Sequence, residues 1–409
     1  SKTISPTKQD TATFNALAEE FGNQDLSAFE NANPDFMRSI DESSYSNETQ
    51  TVPDEFKHSY LALRQDQHHK KGDSNHKQQI AMLENVSPRY PTDASLVCNP
   101  ESVVKNTKGE AYFHANFISA PYGTYIASQG PTTSEKTFSG KSQTPNIAHF
   151  LNMISGKGVK CINDMTNEND ASIDKRTESY VPQAGQKVTY TGGDGTQATI
   201  ENLKETKLFN GEFTLQHLLI NEKSCFRLQN NHFNDRTTGK PGQLLVQAFL
   251  ARKISPDFDI PISTNCTAGI GRTGTSTLIQ QIVDASLTSK SASPKKQADH
   301  FSKIQQVVTR EEMESIVNNI KVIDDKKKKK LLKAYSKTPL TEKMMKDIAL
   351  TPEQFNAIVT DPTLMTLMFR NERGHRGVQT AGQFQTVNIV YNNLKEMTSC
   401  AEEIGLLKK

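Results

Sequence analysis

One run constrains this chain more than any other: Ile260-Pro261-Ile262-Ser263-Thr264-Asn265-Cys266-Thr267-Ala268-Gly269-Ile270-Gly271-Arg272-Thr273-Gly274. Its apolar first part reads as a strand ending at Cys266, and its glycines mark a loop. Behind them Leu278, Ile279, Ile282 and Val283 recur at helical spacing. Strand, loop and helix in that order commit the chain to an α/β arrangement in which a backbone loop precedes a helix N-terminus. Gly269 and Gly271 let the N–H groups of Thr267, Ala268, Gly269, Ile270 and Gly271 turn toward one point. The helix end adds partial positive charge there, and Arg272 offers a fork that fits two oxygens of a bound anion. A sulfur at the base of such a nest is favoured as the nucleophilic anion, which makes Cys266 a candidate nucleophile. A lone cysteine before a helix is more often a packing residue. The spacing of five residues and then Arg272-Thr273 is what argues for chemistry.

The rest of the chain sets bounds on that chemistry. With 409 residues a large core can be buried without disulfides. Cys98, Cys161, Cys225, Cys266 and Cys400 form no CxxC pair, which argues against a zinc ribbon and for a reducing compartment. No His/Asp/Glu cluster has metal-ligand spacing, so neither a metal nor another cofactor is expected. No apolar run approaches the ~18 residues of a span and no charged-then-apolar leader is visible, so no transmembrane segment is expected. A net charge of +2 gives no sign of a nucleic-acid partner, and none is expected. The charge is nevertheless uneven. Residues 1–57 carry eleven acids against four bases, whereas 290–346 carry fifteen bases against seven acids, including Lys326 to Lys330. A solvated helix face is the plain reading of that lysine run; an anionic lipid or an acidic protein partner is the other.

Texture divides the sequence into four. Residues 1–51 read as a polar arm of short helices, with apolar patches at Phe14/Leu17/Phe21 and Phe36/Met37/Ile40. From 52 to 285 the chain is mixed α/β, with strand-like stretches such as Thr124-Tyr125-Ile126 and Lys187 to Tyr190 before the turn Gly192-Gly193-Asp194-Gly195. Residues 286–366 read as a basic helical insertion, with start signals at Thr309-Arg310-Glu311-Glu312 and Thr351-Pro352-Glu353-Gln354. The segment 367–409 is expected to hold one further helix, about Gly382 to Leu394, and a polar tail.

Taken with other stretches, the cysteine loop resembles the cysteine-dependent protein tyrosine phosphatase family, whose signature is His-Cys, five residues, Arg, then Ser or Thr. Arg89-Tyr90 looks like its phosphotyrosine-recognition loop. Tyr112-Phe113-His114-Ala115-Asn116-Phe117-Ile118, Tyr125-Ile126-Ala127-Ser128-Gln129-Gly130-Pro131 and Arg176 to Pro182 are similar to further family segments. Arg373 followed by Val378-Gln379-Thr380-Ala381-Gly382-Gln383-Phe384 looks like its glutamine loop. The resemblance implies a mixed, twisted sheet flanked by helices, here carrying a large helical insertion. It implies cleavage of phosphotyrosine in proteins through a phosphocysteine on Cys266, with Arg272 on the phosphoryl oxygens and Thr273 on the leaving sulfur. Gln379 and Gln383 would place the water, and Tyr90 would stack on the substrate ring.

Three departures from the family pattern stand out. Asn265 replaces the histidine before the cysteine. The acid loop has no tryptophan; Phe233-Asn234-Asp235-Arg236-Thr237 resembles that of secreted bacterial effector phosphatases and makes Asp235 the general acid, while a second register puts Thr237 or Thr238 in its place. The link to the glutamine loop is far longer than the family needs. The implied setting is cytoplasmic, including a host cell cytoplasm reached by secretion, with host signalling proteins as targets. A phosphoinositide phosphatase and a phosphotyrosine-binding pseudophosphatase are the competing readings.

Overall fold

The computed structural model describes residues 6–41, 99, 101–133, 136–138, 141–143, 145–167, 179–288, 292–337, 339–374 and 377–408. Tyr90 and its neighbour Arg89, Cys98, and Arg176 to Glu178 lie outside them.

The stretch before Cys266 forms strand β11 (Ile262–Asn265), buried along its whole length although three of its four residues, Ser263, Thr264 and Asn265, are polar. A short strand with no exposed face belongs at the centre of a parallel sheet. There it lies, between β3 (Thr124–Ser128) and β6 (Cys161–Asp164), parallel to both, while β6 also runs parallel to β10 (Lys223–Asn230). Antiparallel strands extend the sheet on both sides. These are β2 (Ala111–Ser119) and β1 (Val103–Lys105) beyond β3, and β9 (Phe213–Ile220), β8 (Gln197–Leu208) and β7 (Lys187–Thr191) beyond β10, nine strands among the described residues. A separate hairpin pairs β4 (Lys136–Phe138) with β5 (Lys141–Gln143).

Alternate side chains of these strands enter two different apolar clusters, as the two-residue period of a strand requires. Tyr125, Ala127 and Cys161 join one, Ile126 and Ile162 the other. The second cluster is covered by α3 (Ile147–Gly156), with Phe150 and Met153 fully buried. Against the first pack α4 (Pro241–Ile254) and α5 (Gly271–Leu287). Between these two helices Arg252 donates to Asp284 at 2.9 and 2.5 Å, and the Tyr125 hydroxyl donates to the same carboxylate at 2.6 Å.

The first N-terminal patch is helical and the second is so only in part. Helix α1 (Pro6–Phe21) buries Phe14, Leu17 and Phe21, α2 (Ser27–Ala32) buries Phe29, and a 3-10 turn Pro34–Met37 buries Phe36, all within the first cluster. Ile40 lies beyond that turn and continues the chain toward an isolated β-bridge at Asp41. The basic stretch forms α6 (Pro294–Gln305), α7 (Arg310–Asn318), α8 (Asp325–Tyr335), α9 (Glu342–Ile348), α10 (Pro352–Val359) and α11 (Pro362–Glu372). Both anticipated starts are capping boxes, on Thr309 and Thr351. Three lysines of the run are tied internally: Lys327 Nζ donates to Ala349 O, Lys328 Nζ to Asn318 O and Lys330 Nζ to Asp347 O.

The C-terminus departs from expectation. The chain forms α12 (Ala381–Asn392) and then, after Asn393, a second helix α13 (Leu394–Glu403) where a polar tail was expected. Met397, Cys400 and Ala401 recur at helical spacing on its buried face, which is a signal the polar composition around them hides.

Candidate active site

Because β3, β6, β10 and β11 run parallel, their following loops leave from the same edge of the sheet, where open α/β sheets bind ligands. Cys266 follows β11 directly and is buried at 3% exposure. The N–H of Gly269 donates to its Sγ at 3.2 Å. Gly269 has φ +76°, and a Cβ there would lie 2.3 Å from Ser128 O, so both backbone shape and space demand glycine. Thr267 is tied to the neighbouring strand end, its carbonyl accepting the N–H of Gly130 at 3.2 Å. Ala268 and Ile270 complete the loop, and Gly271 opens α5.

Arg272 is 2% exposed at the head of that helix. Its Nη1 donates to Met165 O at 3.0 Å and Phe233 O at 3.2 Å, and its Nη2 to Thr267 Oγ1 at 3.1 Å. The next residue, Thr273, is fully buried, and its hydroxyl has no hydrogen-bond partner among the described residues. Asn265 is also fully buried; neither its side-chain oxygen nor its nitrogen has such a partner.

The loop after β10 brings Asp235 to the same place. Its Oδ1 is 3.6 Å from Arg272 Nη2, with 42% of the aspartate side chain exposed. Asn234 Oδ1 accepts from Asn167 at 2.7 Å. Asn234 O accepts both the N–H of Thr237, at 3.3 Å, and its hydroxyl, at 2.8 Å, so Asp235 and Arg236 form the corner of a tight turn with Arg236 at φ +56°. The hydroxyls of Thr237 and Thr238, candidates in the second register, are engaged with that turn and with Ile40 and Gly239.

The third contributor precedes and opens α12. A Cβ on Gly271 would lie 3.0 Å from Gln379 Oε1 and 3.1 Å from Gln383 Oε1, which sets both amides against the start of α5. Gln383 Oε1 accepts the N–H of Gln379 at 3.0 Å, and its Nε2 donates to Thr237 O at 3.2 Å. Val378 N–H donates to Ile270 O at 3.1 Å, and Arg370 braces the same loop through Gly377 O at 2.8 Å.

Sequence reasoning gave no role to Arg373, His114 or Asn116. Arg373 is fully buried and donates to Gly269 O, Ala268 O and Asn116 Oδ1 and to His114 Nδ1, holding the back of the cysteine loop to β2. The available signal was that all three lie within the stretches that carry the family resemblance. Tyr90 falls outside the described residues.

Residues 87–317, over half of the chain, match the family model described as protein-tyrosine phosphatase. The chain therefore belongs to the protein-tyrosine phosphatase family, and membership implies protein-tyrosine-phosphatase activity on phosphotyrosine proteins. The tyrosine phosphatase TbPTP1 of Trypanosoma brucei is similar in fold, with a TM-score of 0.52 at 14% identity over 87% of this chain and 98% of that one. TcPTP1 of Trypanosoma cruzi gives 0.49 at 14% identity, over 88% and 96% of the two chains. PTPN18, in a structure concerned with HER2 phosphorylation sites, gives 0.48 at 17% identity over 83% and 92%. No curated protein matches the sequence. Among the described residues no helix is long and apolar enough to cross a membrane.

Proposed function

We propose that this chain hydrolyses phosphotyrosine in proteins by way of a phosphocysteine on Cys266. The carrying observation is convergence: the Asp235 carboxylate stands 3.6 Å from Arg272 Nη2, at the loop where Gly269 N–H meets the Cys266 sulfur at 3.2 Å. In the first step an S–P bond forms as the phosphorus–phenol oxygen bond breaks, and Asp235 gives its proton to the departing oxygen. Arg272 and the amides from Thr267 to Gly271 take up the charge that spreads over the phosphoryl oxygens. In the second step a water placed by Gln379 and Gln383 attacks phosphorus, Asp235 takes its proton, and the sulfur leaves toward the buried Thr273 hydroxyl. Tyr90 is assigned to the wall that stacks on the tyrosyl ring by its place beside Arg89 in the sequence.

The same observation favours an enzyme over a phosphotyrosine-binding pseudophosphatase, because the acid stands at the catalytic arginine. A phosphoinositide substrate is disfavoured by a loop without lysine, since Thr267, Ala268, Ile270 and Gly271 offer a multiply charged headgroup no extra cation. An anionic lipid or acidic protein partner would meet Lys326, Lys329 and Lys333, which are exposed on α8. A role as a bacterial effector in a host cytoplasm is carried by the sequence Phe233 to Thr237 alone, and finding the protein inside infected cells tests it.

The catalytic reading is tested by phosphate release from a phosphotyrosine peptide. Asp235→Ala is expected to slow it by about 10²-fold or more, the range for a lost general acid. An unchanged rate would remove Asp235 from the chemistry.

A further inference from the structure

The turn that carries Asp235 is held at its base by a part of the chain that the chemistry does not use. The Ile40 carbonyl accepts the N–H of Thr238 at 3.1 Å, and the Ile40 N–H donates to Thr238 Oγ1 at 2.9 Å. Next to them Asp41 pairs with Thr237 in an antiparallel bridge. The segment that supplies these bonds is anchored. Phe29 and Phe36 are fully buried, and a Cβ on Gly242, in the first turn of α4, would lie 2.8 Å from Phe29 Cδ1 and 3.0 Å from Phe36 O. From the opposite side Gln383 Nε2 donates to Thr237 O at 3.2 Å and Thr386 Oγ1 to Thr238 O at 2.8 Å. The base of the acid turn is thus gripped between the N-terminal arm and α12.

We propose that residues 36–41 act as a brace that fixes Asp235 over Arg272, with Thr238 the positioning residue through which the brace acts. The proposal rests on reading Asp235 as the general acid. Asp235 stands three residues before Thr238 in a turn with a left-handed corner at Arg236, so a turn freed at its base can swing the carboxylate away from the arginine. A displacement of about 1 Å is enough to cost on the order of 10² in rate. Because the arm reaches Thr238 through its backbone, the N–H of Ile40 matters and its side chain does not.

The test compares kcat/KM for phenyl phosphate and para-nitrophenyl phosphate in the full-length wild type, Thr238→Val, Thr238→Ser, Ile40→Pro and Asp235→Asn. Phenolate needs the acid's proton to depart, whereas nitrophenolate leaves readily without it. Thr238→Val and Ile40→Pro are expected to lose about tenfold more on the phenyl ester than on the nitrophenyl ester, with Thr238→Ser restoring the wild-type ratio. Equal losses on both esters, or no loss, overturn the brace. Asp235→Asn keeps the two readings apart: a larger loss of the same selective kind supports the acid assignment, and no selectivity overturns it and the brace with it. If Thr238→Val fails to fold, amide exchange in the wild type decides. Slow exchange at Thr238 supports the brace, and exchange at the rate of an open loop overturns it.

Discussion

The Arg373 guanidinium serves four acceptors at once: Gly269 O at 2.9 Å, Ala268 O at 3.3 Å, Asn116 Oδ1 at 2.8 Å and His114 Nδ1 at 2.8 Å. A guanidinium only donates, so His114 Nδ1 is the unprotonated nitrogen of its ring. Lysine has neither the planar fork nor enough reach to replace it. Arg373→Lys should therefore destabilise the protein by about 2–4 kcal/mol through orphaned buried acceptors, and lower kcat/KM about tenfold or more as the cysteine loop loosens; chemical unfolding and steady-state rates check the two effects. The preceding residue, Glu372, is a different case. Burial pushes its carboxyl up from 4.5 to about 7, only partly offset by the Ser119 N–H at 2.9 Å, and its Oε1 has no hydrogen-bond partner among the described residues. The folded protein thus holds a proton that the unfolded chain has released, so stability falls as pH rises from about 4.5 through about 7. Glu372→Gln keeps the acceptor for Ser119 and removes the charge. It is expected to be more stable than wild type by about 1–3 kcal/mol at pH near 8, and no more stable at pH near 4, in denaturant titrations.

At the scale of elements, what could be read from the sequence was what depends on neighbours along the chain. Strand β11 follows the apolar Ile260-Pro261-Ile262 and is closed by a cysteine and a glycine loop, and the capping boxes at Thr309 and Thr351 are complete within four residues, so their positions follow from local chemistry. The turn that carries Asp235 was legible only as two registers, because the contacts that arrange it come from afar: Ile40 reaches Thr238 across 198 residues with its own backbone N–H, which leaves no mark on residue type at position 40. The pairing of Arg373 with His114 spans 259 residues and was hidden for the same reason. The basic insertion illustrates the limit of composition. Its charge spoke only of a solvated helix face or an anionic partner, and not of its buried side, where Phe355 on α10 is fully buried and meets the rings of Tyr122, His300 and Phe301, while Asn356 Nδ2 donates to Ala285 O at 3.3 Å. The helix that runs out of the insertion, α11, carries Arg370 and leads directly to Arg373, which grips the cysteine loop. Phe355→Ala should cost about 3–5 kcal/mol in global unfolding, as for a large core truncation; a loss under about 1 kcal/mol would show that the insertion rides loosely on the sheet.

Across the whole molecule, the site exists because separate parts of the chain are brought to one edge of one sheet. β11 leads to Cys266 and Arg272, β10 leads to Asp235, and the loop before α12 with the first turn of that helix brings Gln379 and Gln383. The family and the mixed fold could be named from short motifs, whereas the fit between the three contributors required the fold. That fit is meaningful as catalysis only if the sulfur of Cys266 becomes covalently phosphorylated, and this can be observed directly. A Gln383→Ala variant, slowed in the water step, is mixed with a phosphotyrosine peptide, quenched in acid within a turnover, and the peptide containing Cys266 is weighed by mass spectrometry. The account predicts the added mass of one phosphoryl group on Cys266, absent in Cys266→Ser, which should also release no phosphate. Phosphate release from Cys266→Ser at the wild-type rate, or turnover with the phosphoryl group never found on Cys266, would contradict it.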